Sequence, residues 1–241
     1  MLRALYLVII AVCILPTIPG LLGVVVSALG YVPPIGLHHF SLDGFNAVFD
    51  WEGVWTSIGL TFYSAIFSSY LACLITFAIL QASWGSKFWR KIEVSLSPLL
   101  AMPHVAFAIG FAFLFAPTGM GVRVLNQLFG YDPNAQTVND LALLIKDPHA
   151  FGLVIMLAIK EVPFLLLMSI PILQQLKVDK IEKVSHSMGY SSAQAWWKCV
   201  FPQWIAKLRF PMLAVLAYSL SVVDVALIIG PTNPPTFAVL V

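Results

Sequence analysis

An all-α integral membrane protein of about five transmembrane helices is the fold class this sequence predicts, and three observations carry it. Hydrophobic residues make up 60% of the 241 positions, with a mean hydropathy of +0.91. Only 10% of residues are charged, too few to cover a water-soluble domain of this size. Apolar residues also gather in runs as long as the roughly twenty residues needed to cross the hydrocarbon core. The net charge of +2 implies no nucleic acid. Membrane lipid is the partner these numbers call for.

The first span is expected at about 5–29. Ala4 to Leu42 contains no Asp, Glu, Lys or Arg, a stretch far longer than the roughly 7–15 residues of a signal peptide's apolar region. Pro16, Pro19 and Gly20 lie inside it and predict a kink or break in its middle. A turn-rich outer segment follows, with Asp43, Asp50 and Glu52 as its charges. The second span, about 55–80, offers a small-residue face of Ser57, Ser64, Ser68 and Ala72 for close helix packing. Lys87, Arg90 and Lys91 mark a short inner loop. The third span, about 94–115, holds Pro98, Pro103 and Gly110, so an irregular helix is expected. At membrane depth such backbone is tolerated only against protein or a water-filled cavity.

Residues 118–150 form a polar outer region, with a turn at Tyr131-Asp132-Pro133-Asn134 and a short interfacial helix over 137–146. The fourth span is expected at 151–173 with Lys160-Glu161 near its middle. The fifth is expected at 211–229 with Asp224 toward its outer end. Between them lies the chain's long basic loop, 175–209. Gly189 can adopt the left-handed conformation that ends a helix, so Asp179 to Met188 reads as one short helix. Ser191 stands three residues before Gln194, the reciprocal pattern of a capping box, so a second helix starts there. Pro202 is expected to bend or stop it. On that helix Ala193, Trp197, Val200, Phe201 and Trp204 recur as an apolar stripe, which needs either the membrane headgroup level or a partner protein to lie against.

Orientation follows from the rule that Lys and Arg collect in cytoplasmic loops. With the N-terminus inside, ten of the thirteen basic residues are internal: Arg3, Lys87, Arg90, Lys91, Lys177, Lys180, Lys183, Lys198, Lys207 and Arg209. The long loop is then cytoplasmic.

Charges inside spans cost about 2.5–3.5 kcal/mol each on insertion scales unless paired or hydrated, which singles out Lys160, Glu161 and Asp224. Lys160 and Glu161 sit about 100° apart on a helix and do not face each other, so one of them is expected to meet Asp224. A packing ion-pair network, a hydrated translocation path and a proton relay all remain open. His104 either lines the same path or is satisfied by a backbone carbonyl. His38-His39 has no Cys or carboxylate at ligand spacing, so no metal site is assigned. Cys13, Cys73 and Cys199 are read as packing residues. No G-x-x-x-x-G-K-S/T motif is present, hence no ATP site in this chain.

Lys183-Val184-Ser185, three residues, Gly189, nine residues, then Cys199-Val200-Phe201-Pro202 resembles the "EAA" loop of permease subunits of binding-protein-dependent ABC importers of the type I fold. That family's pattern is Glu-Ala-Ala, three residues, Gly, nine residues, Ile-x-Leu-Pro. Gly189 and Pro202 match. Lys183 stands where the family carries Glu, and Glu182 would point about 100° away. The resemblance implies a coupling helix seated on an ATPase subunit dimer, with Lys183, Ser185, Gly189, Ser191, Gln194, Trp197 and Pro202 in the loop. It also implies ATP and Mg bound by that partner and no cofactor in this chain. A second permease half, fused or separate, and a solute-binding protein docking on the outer loops complete the assembly, in the bacterial cytoplasmic membrane. Ser221-Val222-Val223-Asp224 resembles the Ser-Leu-Asp or Ser-Leu-Glu of the family's corresponding span, which favours a translocation path of Lys160, Glu161, Asp224 and His104. The family core has six spans, so five reads as a truncated core or as the N-terminal half of a fused permease of the iron, thiamine and polyamine-like group. The alternative is an ion-gradient-driven transporter or channel using Glu161 and Asp224.

Overall fold

The computed structural model describes residues 2–117, 119–129 and 144–241, which divide between two compact units, Met1–Trp55 and Thr56–Val241. In the first unit, α1 (Leu2–Ile14) and α2 (Thr17–Ala28) are separated by a break at Leu15 and Pro16. This is the interruption that the prolines predict. Thr17 Oγ1 donates to the Ile14 carbonyl at 2.7 Å, satisfying one of the groups the break frees. The stretch Ile9–Ala28 has a mean hydropathy of 2.5 and no buried residue. A short turn with stacked Tyr31 and Phe40 rings, 5.2 Å apart, leads to α3 (Asp43–Asp50).

α4 (Val54–Ser83) follows. Several of its hydroxyls are satisfied on their own helix: Thr61 Oγ1 donates to Ser57 O at 2.9 Å, Ser68 Oγ to Ala65 O at 3.1 Å and Ser69 Oγ to Ala65 O at 2.7 Å, whereas Ser57 Oγ and Thr76 Oγ1 are buried without a partner among the described residues. Ser57, Ser64, Ser68 and Ala72 are all buried, as a packed small-residue face requires. α5 (Lys87–Ala101) is capped by Ser86, whose Oγ accepts from Trp89 N at 3.2 Å. It is followed by α6 (His104–Phe115), bent from it by 102° across Met102 and Pro103. Proline excludes the helical conformation from the residue before it, and Met102 is extended. α7 (Met120–Phe129) comes next. The expected turn at Tyr131 to Asn134 and most of the expected helix at 137–146 lie outside the described residues.

α8 (Phe151–Leu176) begins where both carboxylate oxygens of buried Asp147 accept from Phe151 N and Gly152 N, at 2.7 and 3.1 Å. It ends at Lys177 in the left-handed region (φ 53°), which turns the chain into α9 (Val178–Ser187). α10 runs over Ser192–Ser221. After an extended Val222 come α11 (Asp224–Ile229) and the short α12 (Phe237–Leu240). α10 packs most extensively on α8, α5 also packs on α8, and α6 packs on α11. Two apolar clusters result. One gathers Phe77, Leu165, Leu173, Trp196, Trp204 and Leu208; the other gathers Phe111, Leu153, Leu157, Val225 and Ile229.

The regular secondary structure of the described residues is helical, with no strand beyond an isolated Val32–Leu37 bridge. Four helices are long and apolar enough to cross a membrane, or five if α5 and α6 count as one broken span. Two local expectations are corrected. Pro202 does not stop the second helix of the loop, which continues to Ser221 and into what was expected as the start of the fifth span. A π-helical turn at Trp196–Val200 immediately precedes the proline, and such a widened turn accommodates the missing N–H. Gln203 Nε2 donates to the Cys199 carbonyl at 2.7 Å. The π turn also changes which face is buried. Instead of Ala193 and Trp197, which are exposed, the inward stripe is Trp196, Val200, Trp204 and Leu208.

Candidate functional site

Two groups of residues stand apart from simple packing. The first is a polar cluster between the two apolar clusters. Lys160 and Glu161 on α8 are 5% and 6% exposed. Glu161 Oε1 lies 3.1 Å from His104 Nε2, and His104 is the first residue of α6. Lys160 Nζ donates to the Leu99 carbonyl near the end of α5 at 2.7 Å. The His104 ring packs on the Tyr218 ring of α10 with centroids 4.4 Å apart. Leu100, His104, Lys160, Glu161, Phe164 and Tyr218 are among the residues around a cavity of 220 Å³. Glu161 is nearly closed off, whereas the His104 side chain is one third exposed, so the imidazole is the cluster's open face.

These contacts correct the expected pairing. Glu161 meets His104, which is therefore satisfied by a carboxylate and not by a backbone carbonyl, and Lys160 meets a carbonyl. Asp224 joins neither. It opens α11, where its Oδ1 accepts from Val225 N at 2.9 Å, a favourable place for an anion at a helix N-terminus. Among the described residues Asp224 makes no ion pair. Tyr218 was not singled out from the sequence, because a lone tyrosine in an apolar run carries no positional signal.

The second group is the loop. Gly189 has φ +83° with nothing within 4 Å of a Cβ placed on it, so it is there for its backbone freedom and not for lack of room. Gly189 N donates to His186 O at 3.0 Å and Tyr190 N to Ser185 O at 3.0 Å, closing α9. Ser191 and Gln194 form both bonds of the capping box, as the spacing predicts. Ser185 is buried against Cys199, its Oγ donating to Sγ at 3.8 Å. Ser192 Oγ bonds Glu182, tying α9 to α10, while Lys183 is exposed. Phe77 of α4 touches four aromatic rings of α10: Trp196, Trp197, Phe201 and Trp204, with centroids 4.7 to 5.9 Å away. Trp204 Nε1 donates to Ser169 Oγ of α8 at 2.9 Å. The indoles of Trp196 and Trp204 are buried in the chain's own core, not at a lipid surface. The loop is thereby joined to α4 and α8 by side chains, while Val184 on α9 and Met188, the residue that caps its end, are 59% and 69% exposed. His38 and His39 are exposed in the first unit and join neither group.

The sequence is 33% identical over 235 residues, 96% of this chain, to the inner membrane ABC transporter permease protein YnjC of Escherichia coli strain K12. This chain is related to an ABC transporter permease. It spans 40% of the length of that relative. No family model matches it. The relationship to an inner membrane permease protein accords with the four or five described helices long and apolar enough to cross a membrane.

Proposed function

We propose that this chain is the non-catalytic, membrane-spanning half of an ABC importer, moving a small solute by alternating access while separate subunits hydrolyse ATP. The observation that carries the reading is the unit hinged at Gly189. Its inner face is fixed to the spans through Trp196 and Trp204, and its outer face offers Val184 and Met188 beside Lys183. An exposed apolar pair at i, i+4 at the end of a short polar helix suits a groove on a partner protein. That partner is an ATPase subunit dimer, which binds the ATP and Mg; this chain needs no cofactor of its own.

Motion of the loop is passed to α4 through Phe77 and to α8 through Ser169. The cavity beside His104, Lys160, Glu161 and Tyr218 is the polar point of the translocation path, and Asp224 lies farther along it. The loop and the N-terminus face the cytoplasm, and a solute-binding protein docks on the outer side. A second permease half completes the path. YnjC is long enough to hold two stretches of this size, which supports the group of importers with fused halves and, within it, an iron, thiamine or polyamine-like solute.

Co-purification and transport test the reading together. The ATPase subunit is expected to co-purify with the permease and to be lost when Gly189→Trp disturbs the turn, with uptake stopping when ATP is removed. Uptake that continues without any ATPase and follows the proton gradient would overturn it in favour of an ion-coupled carrier using Glu161.

A further inference from the structure

Lys160 and Glu161 are neighbours on α8, and each reaches a different side of the break between α5 and α6. The last four carbonyls of a helix have no helical donor. For Leu99 the residue four further on is Pro103, which brings no N–H at all, and at membrane depth water is scarce. The Lys160 ammonium, 2.7 Å away, supplies the donor, and a cation is also favoured at the carbonyl end of a helix. On the other side, α6 starts with no side-chain cap. There Glu161 Oε1 holds the imidazole of His104, the first residue of α6, at 3.1 Å from Nε2. The angle of about 100° between successive residues is what lets one helix meet both ends.

We propose that Lys160 and Glu161 form a charge clamp on the α5–α6 elbow. They are positioning residues: Lys160 holds the outgoing helix end, Glu161 holds the incoming one, and together they set His104 against Tyr218 at the cavity. α8 continues from the clamp to Leu176, where Lys177 turns it into α9, so α8 connects the elbow to the helix that ends at Gly189. The inference concerns the shape of this chain and is independent of the transport reading, since its test uses no solute, ATP or partner.

The elbow angle can be read as a distance. Val94 and Phe113 are each 74% exposed and lie on opposite arms. With about 1.5 Å of rise per residue, arms of roughly 12 and 15 Å bent by 102° put their backbones about 17 Å apart. A straightened helix would put them about 28 Å apart. Spin labels are attached at Val94→Cys and Phe113→Cys in a chain whose three native cysteines are replaced by alanine, reconstituted in lipid nanodiscs, and the distance distribution is measured by dipolar EPR. The parent is expected to give a single narrow distribution at the shorter distance. Lys160→Met is expected to broaden it toward longer distances or, if the elbow is needed to fold, to lose the folded protein. Lys160→Arg keeps the cation and its donors, and Lys160 borders a second cavity of 520 Å³ that gives the larger group room, so it is expected to restore the parent distribution. An unchanged distribution in Lys160→Met overturns the clamp, as does a Lys160→Arg protein as impaired as Lys160→Met.

Discussion

The hydrogen bond between Trp204 and Ser169 is the most local test of how the loop is joined to the spans. Both side chains are fully buried. Ser169 Oγ accepts from the indole at 2.9 Å while giving its own proton to the Leu165 carbonyl at 2.6 Å. Ser169→Ala removes the acceptor without removing the indole, leaving a buried N–H facing apolar side chains, at a cost of about 1–3 kcal/mol. Trp204→Phe removes the donor instead. The serine keeps its bond to Leu165, and the loss comes chiefly from the space opened, below the roughly 3–5 kcal/mol of a full truncation to alanine. If the bond matters, the double variant is less damaged than the sum of the singles, by about 0.6–1.7 kcal/mol, the range seen for side-chain hydrogen bonds between membrane helices. Unfolding in mixed micelles titrated with SDS and followed by circular dichroism supplies all four free energies. A coupling below about 0.3 kcal/mol, the additivity expected of independent sites, would refute the claim that this bond fastens α10 to α8.

Other expectations follow from the same contacts. Gly189→Ala has room for its methyl but must hold a left-handed backbone, so it is expected to destabilise the turn by about 1–2 kcal/mol; faster amide exchange at Gly189 and Tyr190 is the readout. Ser191→Ala loses the capping box and should cost about 0.5–2 kcal/mol, with fraying confined to the start of α10. Glu161→Ala leaves the His104 nitrogen without its carboxylate and is expected to cost about 1–3 kcal/mol in stability. Asp224→Ala loses only a helix-end charge, about 0.3–1 kcal/mol. Equal effects of the two in the same unfolding assay would contradict the separate environments described for them.

What was legible in the sequence was local. Gly189, Ser191 and Gln194 carry their conformations in their own chemistry, and the structure repeats them. The break near Pro16 and the irregularity at Pro103 are equally local, because a proline acts on the residue beside it. The size of the bend at Pro103 was not legible, since it depends on α6 packing against α11 and α8, far along the chain. The buried stripe of α10 was misassigned for a different reason. Counting at α-helical spacing placed Trp197 inward, whereas the π turn shifts the phase so that Trp196 turns in. The partner of Glu161 stands 57 residues away, and no spacing rule links it to His104 over Asp224. Ser169 and Tyr218 were invisible because each is an ordinary residue until the helix opposite is known.

Whether α9 is the surface that meets the ATPase is decided most directly by proximity in the assembled complex. With cysteine introduced at Met188 and, as a control, at exposed Phe113, a short bifunctional cross-linker is applied to membranes carrying the permease and its ATPase subunit. The account predicts a cross-linked product from Met188→Cys whose yield changes with ATP, and none from Phe113→Cys. Cross-linking from Phe113→Cys alone, or a Met188→Cys thiol labelled only by reagents added outside the cell, would contradict it.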